Sequence, residues 1–320
     1  MTLSGSKPFW ENATAFHWKD LLVRCGSPHC DLRVKVQPAL LTRFRGIQFQ
    51  RRWYHEAACL REDLTSRLRS LLSVAATPRA HRIPIGLLLI KRGVITPRQL
   101  RAALQLQHQA GSGNIGYWLM QVADLDEEQI CAALSQQCGC PVFPLEIHAT
   151  PSFTSNTPPY LLFVAAKAIP AFATPDGREW HIAFAERIDH TLLYAWEQIL
   201  QCKTYACVAR ASTINEALEL SQKRITRKEI CFDSVRDPVE MAATICSYAA
   251  QMDARHIKVE RAVGYVWAVL FQRNARRDLL FCVAPEPISR ARQFLPVSDK
   301  ANRLLADIRR DSVWNAAEPQ

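Results

Sequence analysis

Four residues near the start of the chain have the types and spacing to hold a metal ion. Cys25 and Cys30 form a C-x4-C pair around Gly26 and Pro28, and His55 and Cys59 form an H-x3-C pair. Gly and Pro let the chain turn back between the first two thiols. Residues four apart on a helix project to one side, so the second pair can face the first. Thiolates and imidazole suit Zn²⁺, and four protein ligands close a tetrahedral site, so structural zinc is expected rather than metal catalysis. His29, inside the first loop, is the alternative fourth ligand. The elements that must position this set are short. Gly46–Gln50 and Arg52–Tyr54 read as a hairpin leading into a helix that begins at the second pair. Leu64, Leu68, Leu71 and Leu72 carry that helix on at helical spacing, with Arg67 and Arg69 outward, until 75–80 breaks the pattern as a linker.

The order of paired ligands, hairpin and helix resembles the treble-clef zinc fingers, with His55 standing where they usually carry a second cysteine. The module is also basic. Residues 1–80 hold 13 Lys or Arg against 6 Asp or Glu, so most of the chain's net charge of +10 lies there. Such a module can meet nucleic acid, an anionic membrane face, an acidic partner or a phosphate. Nucleic-acid binding through residues 1–80 is therefore one of two function classes carried forward.

Composition removes several other classes. At 48% apolar and 22% charged the chain is globular, and 320 residues predict two or three domains. The longest compact apolar run, Ile85–Ile90, falls far short of the roughly 20 residues of a membrane span. Met1–Trp10 lacks a basic segment followed by an apolar one, so a cytoplasmic location is expected, with the 11 cysteines mostly reduced. No G-x-S-x-G, H-E-x-x-H or G-x4-G-K-[ST] occurs, and His181, His190 and His256 stand singly. Gly111–Gly116 satisfies G-x-G-x-x-G, but it follows a Gln-rich helix rather than a strand and is discounted as a dinucleotide fingerprint. Cys138 and Cys140 form a C-x-C without partners and read as buried thiols. No enzyme is expected.

A repeat occupies the centre. A shift of thirty residues superimposes Ile85-Gly86 on Ile115-Gly116, Leu89 on Leu119, Ile95 on Leu125, Gln99 on Gln129, Leu100 on Ile130, Ala103-Leu104 on Ala133-Leu134, and Gln107 on Gln137. Each copy reads as a short helix, a turn and a longer helix. The longer helices start at Thr96, with Pro97 and Gln99, and at Asp126, with Glu127, Glu128 and Gln129, which are capping-box signatures. Leu100 and Leu104, like Ile130 and Leu134, are expected on one face. Two such hairpins can bury those faces against each other as a compact four-helix unit.

These residues resemble the N-terminal domain of type II secretion and type IV pilus assembly ATPases, in some of which the tandem repeat binds cyclic di-GMP. The family pattern R-L-G-x2-L-x3-G-x-I-x4-L-x3-L-x2-Q is followed by Ile85, Gly86, Leu89, Gly93, Ile95, Leu100, Leu104 and Gln107, and again by Ile115, Gly116, Leu119, Leu125, Ile130, Leu134 and Gln137. The two leading arginines are absent, with Pro84 and Asn114 in their places, and Ala123 replaces the second copy's motif glycine. Neither Pro nor Asn can make the bidentate contacts of a guanidinium. The resemblance implies a degenerate cyclic di-GMP module with Ile85, Gly86, Leu89, Gly93, Gln107, Ile115, Gly116, Leu119 and Gln137 as ligand-facing candidates and Arg82 as a substitute arginine. It also implies a protein partner in a secretion or pilus system.

The rest of the chain continues the resemblance without the catalytic core. Ala168–Phe172 and Trp180–Phe184 read as strands joined by a turn at Pro175-Asp176-Gly177. A helix follows around Leu192–Leu200, then a strand at Tyr205–Val208 and a helix around Ile214–Leu218. Asp237-Pro238 starts a capped helix, and His256–Glu260, Tyr265–Phe271 and Leu279–Val283 read as strands. The expected fold is α+β and multidomain: a zinc knuckle with helix over 1–80, the tandem repeat over 81–148, small α/β modules over 149–228 and 229–285, and a tail over 286–320 with a helix around Leu304, Leu305 and Ile308.

Overall fold

The computed structural model describes residues 22–30, 33–35, 46–73, 82–111, 113–144, 157–224, 229–273 and 275–283. The expected linker over 75–80 and the tail helix lie outside them. The fold is mixed α/β. In chain order the elements are β1 (Leu22–Arg24), β2 (Arg33–Lys35), β3 (Ile47–Phe49), β4 (Arg52–Tyr54), α1 (Ala57–Ser73), α2 (Ile85–Lys91), α3 (Pro97–Ala110), α4 (Ile115–Ala123), α5 (Glu127–Cys138) and α6 (Tyr160–Ala166). There follow β5 (Ala168–Ala173), β6 (Glu179–Phe184), α7 (His190–Leu200), β7 (Lys203–Val208), α8 (Ala211–Arg224), β8 (Ile230–Phe232), α9 (Pro238–Gln251), β9 (His256–Ala262), β10 (Tyr265–Phe271) and β11 (Arg276–Cys282). Among the described residues no helix is long and apolar enough to cross a membrane.

Two compact units emerge. Among the described residues, the first is built from those up to Arg69 with Asp237–Lys258 and Leu270–Arg276; the second from those between Ser70 and Arg236, Val259–Val269 and those after Arg276. In the first, β1 and β2 pair antiparallel through Val23 and Val34, a hairpin with no expectation in the sequence. β3 and β4 form the expected one, with Phe49 opposite Arg52. Its two-residue turn puts Gln50 and Arg51 at φ 47° and 64°. Positive φ at both positions is the hand that matches strand twist, although neither residue is the Asn or Gly that reaches it cheaply. β3 also runs parallel to β9 at Gln48 and His256, where the Gln48 N–H donates to the Arg255 carbonyl at 2.8 Å. The sequence places β3 and β9 in separate modules, and this pairing joins them.

Helix α1 buries Leu60, Leu64, Leu68 and Leu71, a stripe at spacings of three and four. Helix α9 starts where Asp237 accepts from the N–H groups of Val239 and Glu240, both at 3.0 Å, with Pro238 in the first turn. That start follows from local chemistry: a carboxylate satisfies donors that a helix leaves open, and Pro has no N–H to lose.

The second unit holds helices α2 to α5 and a three-stranded sheet β5-β6-β7. β5 and β6 are antiparallel around the expected turn, where Asp176 accepts from the Thr174 hydroxyl at 2.6 Å and the Arg178 N–H at 3.2 Å. β6 and β7 are parallel, with α7 crossing between them. Trp196 of α7 is fully buried, 5.4 Å from the Phe163 ring and 5.1 Å from the Trp180 ring. Rings of this size bury more apolar area than any other side chains and anchor this sheet's inner face. Val142, after α5, bridges Val208 at the edge of β7.

Candidate functional site

The four metal-ligand candidates converge. Cys25 follows directly on β1, and the Cys30 N–H donates to the Ser27 carbonyl at 3.3 Å, closing the turn. The Gly26 N–H donates to the Trp53 carbonyl at 2.8 Å, so the turn is fastened to β4. A Cβ on Gly26 would lie 2.9 Å from the buried Tyr54 ring, which is why that position admits no side chain. Tyr54 in turn donates its hydroxyl to Asp63 of α1, which also pairs with Arg52 at 3.2 Å. Hairpin and helix are thereby set at a fixed spacing, with His55 between them and Cys59 in the first turn of α1.

The donor atoms of Cys25, Cys30, His55 and Cys59 all lie within 4.8 Å of one another. His55 Nδ1 is 3.4 Å from the sulfurs of both Cys30 and Cys59. Metal–sulfur bonds of about 2.3 Å and metal–nitrogen bonds of about 2.0 Å at tetrahedral angles place N and S about 3.5 Å apart, so the donor set fits a four-coordinate ion. His55 Nε2 is 3.5 Å from the Glu56 carboxylate, the arrangement that keeps a proton on that nitrogen and leaves Nδ1 to coordinate. His29, the alternative ligand, is exposed and faces Glu62 at 3.6 Å instead.

Charge in the cluster is divided unevenly. Burial raises the Cys25 thiol, but hydrogen bonds from His55, the Ser27 backbone and Cys30 outweigh it and bring the thiol down to about 7. Cys59 is pushed up to about 12, by burial first and then by negative charge on Cys25. Three sulfurs this close cannot all ionise without a cation, and a divalent metal is what allows it.

The thirty-residue correspondence has geometric counterparts in α2 to α5. Thr96 and Asp126 both form capping boxes: the Gln99 N–H donates to Thr96 at 3.3 Å, and the Gln129 N–H to Asp126 at 2.7 Å, with each Gln side chain accepting in return. Helix α2 lies so close to α3 that a Cβ on Gly86 would meet Leu100 Cδ1 at 2.5 Å; the equivalent contact, Gly116 with Ile130 Cγ2, is 3.1 Å. The two motif glycines therefore admit neighbouring helices. Ile85, Leu89 and Leu119 are buried in a shared core with Ile95, Ala103, Leu106, Trp118, Ile130 and Ala133, and Ile115 packs at its margin. Leu104 is exposed rather than on the inward face expected of it, because Ala103 and Leu106 take the inward positions. Gly93 holds a left-handed φ of 69° just after α2. In the second copy, where Ala123 replaces that glycine, α4 runs on and the left-handed residue is Asp124, at φ 51°.

The two motif glutamines make equivalent and crossed hydrogen bonds. Gln107 of the first copy donates its amide to the Gly113 carbonyl at the start of the second, at 2.9 Å. Gln137 of the second donates to the Ile83 carbonyl at the start of the first, at 2.7 Å. Gly113 and Ile83 are themselves thirty residues apart, so each copy fastens the other's entry. No signal in the sequence predicts that exchange, since the repeat marks the donors but not their partners. Pro84 and Asn114, where the family carries arginine, are the exposed N-cap residues of α2 and α4. Arg82 turns elsewhere, to Cys138 Sγ at 3.6 Å and His190 Nε2 at 3.2 Å.

No family model matches the chain, and no curated protein matches it. Similar solved structures include MshE with cdg, at 23% identity and TM-score 0.35 over 44% of this chain and 99% of that one. They also include the N-terminal domain of XpsE in two crystal forms. One is at 15% identity and TM-score 0.32 over 42% of this chain and 91% of that one; the other is at 17% and 0.24 over 45% and 98%.

Proposed function

We propose that the chain is a non-catalytic adaptor or regulatory protein related to the N-terminal region of type II secretion and type IV pilus assembly ATPases, with a structural zinc site in its first module. The observation that carries this reading is the doubled motif, in which caps, close glycine contacts and crossed glutamine bonds recur thirty residues apart. The absence of G-x4-G-K-[ST] from the sequence supports a non-catalytic role, because nothing else in it offers the backbone amides and lysine that cradle a triphosphate. Purified protein should show no ATP hydrolysis above that of a mock preparation; turnover that copurifies with the chain through successive columns would overturn the reading.

The repeat is a degenerate cyclic di-GMP module. Both leading arginines are missing, Arg82 is engaged with Cys138 and His190, and Ile85, Gly86, Leu89, Gly116 and Leu119 are taken up by packing. Two lost charge-assisted contacts weaken binding by roughly a hundredfold or more. Calorimetric titration of the full chain with cyclic di-GMP should therefore show weak or no binding, and Pro84→Arg with Asn114→Arg should strengthen it. Submicromolar binding by the unaltered protein would instead make it a second-messenger effector. The remaining function is docking to a secretion or pilus component.

A second reading, nucleic-acid binding, is favoured by the charge of residues 1–80 and by Arg24, Arg51 and Arg52, which are exposed beside the metal-ligand loop and at the hairpin turn. It predicts retardation of duplex DNA by the metal-loaded protein that fades as salt rises.

A further inference from the structure

The C-x-C sequence read as a pair of buried thiols is not buried: Cys138 and Cys140 are each partly exposed. Cys138 is the last residue of α5, and Gly139 turns the chain in the left-handed region at φ 65°. The Cys140 N–H then donates to the Ser135 carbonyl at 3.2 Å, while the Ser135 hydroxyl donates to the Cys140 carbonyl at 2.6 Å. Two peptide units extended span at most about 7 Å, and a left-handed residue between them shortens that, which brings the two Cα atoms into the range of about 4.4 to 6.8 Å that a disulfide bridges.

The two sulfurs have different surroundings. Cys138 Sγ accepts from the Arg82 guanidinium at 3.6 Å, which sets a fixed positive charge beside that sulfur. Cys140 makes no such hydrogen bond, and burial, followed by negative charge on Cys138 and Cys131, pushes its thiol up to about 11, the Arg82 charge being the smallest cause and acting the other way. The neighbouring Cys131 and Cys207 are buried, and Cys207 Sγ is bonded to the Ile182 carbonyl at 3.3 Å. One partly exposed sulfur thus accepts a hydrogen bond from a cation, and its neighbour does not.

We propose that Cys138 and Cys140 are a peroxide-reactive thiol pair, with Cys138 the sulfur that is oxidised first and Cys140 the one that resolves it. The Cys138 thiolate attacks one oxygen of hydrogen peroxide; the S–O bond forms, the O–O bond breaks, and hydroxide leaves. Sulfur is oxidised to the sulfenic acid by two electrons that reduce the peroxide. The Cys140 sulfur then attacks Cys138, the S–S bond forms, the S–O bond breaks, and the oxygen leaves as water with the Cys140 proton. Oxidation removes the thiolate from Arg82, whose other hydrogen bond is to His190 at the start of α7.

The test is peptide mass mapping of the full-length, metal-loaded protein after hydrogen peroxide treatment. The peptide containing both residues should lose two hydrogens and regain them with dithiothreitol. Cys140→Ser should instead leave a sulfenic acid on Cys138 that dimedone captures, and Cys138→Ser should leave Cys140 unmodified. Arg82→Ala should slow Cys138 oxidation by about tenfold, with Arg82→Lys partly restoring it. The metal-ligand cysteines fall in other peptides, so their oxidation is read separately. Free thiols at both positions under conditions that oxidise Cys25, Cys30 or Cys59 would overturn the proposal, as would dimedone capture at Cys140 rather than Cys138.

Discussion

The metal-ligand module and the paired helices solve the same problem in opposite ways. Around Cys25 and Cys59 the strands are three residues long, and four polar ligands converge beside the buried apolar residues of β3, β4 and α1. In α2 to α5 no ligand is needed, because two copies of one hairpin bury each other's apolar faces and satisfy each other's carbonyls. The first arrangement concentrates its stability in four atoms and the second spreads it over many contacts. Single changes should therefore be severe in one and graded in the other.

The largest expected effect follows directly. Cys25→Ser or Cys59→Ser should release the metal and unfold the module around it, since metal binding in such small sites amounts to about 10 to 16 kcal/mol of folding free energy. Metal analysis with hydrogen exchange of residues 46–73 checks this, and protection that survives chelation would show that the ligands are not what holds the module. Helices α2 to α5 should keep their protection under the same chelator. His29→Ala should leave the metal content unchanged.

Next in size are the motif glycines. Gly86→Ala drives a methyl into Leu100 and should cost roughly 1 to 3 kcal/mol, whereas Gly116→Ala, with more room beside Ile130, should cost less. Denaturant midpoints measure both, and equal costs would mean that the two helix pairs adapt alike. Loss of a cap is smaller still: Thr96→Ala and Asp126→Ala should each cost about 1 kcal/mol, and by similar amounts if the copies are equivalent.

Acid separates the regions by another route. Burial, and then the Lys258 charge, lower His256 from its ordinary 6.5 to about 4, so it is neutral in the folded protein. A base with a depressed folded value contributes stability that is full above pH 6.5 and is lost as pH falls toward 4, because the unfolded chain takes the proton first. Metal affinity, which requires deprotonated thiols, falls in the same direction. The first unit should therefore lose protection below pH 6 before α2 to α5 do, and His256→Gln should flatten its pH dependence.

What could be read in the sequence was local. The hairpin at Ile47–Tyr54, the capping boxes at Thr96 and Asp126, the turn at Asp176 and the strand Tyr265–Phe271 are written in adjacent residues, and the structure has each of them. Pairings between distant segments were not legible. The parallel contact of β3 with β9, the pairing of β8 with β11 and the hairpin β1–β2 depend on which segments meet, and strands of three residues carry too little periodicity to announce themselves. At the cysteine–histidine cluster the residue types and spacing named the four residues that converge. The choice between His29 and His55 required the geometry that turns one imidazole toward the sulfurs and the other toward Glu62.

The crossed glutamine bonds carry a consequence for assembly. Each copy donates to the other and accepts from it, so the pair has the self-complementary form of an isologous dimer written into one chain. A single copy, residues 82–111, would hold one donor and one acceptor that match those of its own duplicate, and two such chains could close on each other by a twofold axis. The tandem arrangement fuses that dimer, and fusion removes the need for the two copies to be identical: at equivalent positions one carries Gly93 in the left-handed region, and the other carries Ala123 within α4 with the left-handed turn at Asp124.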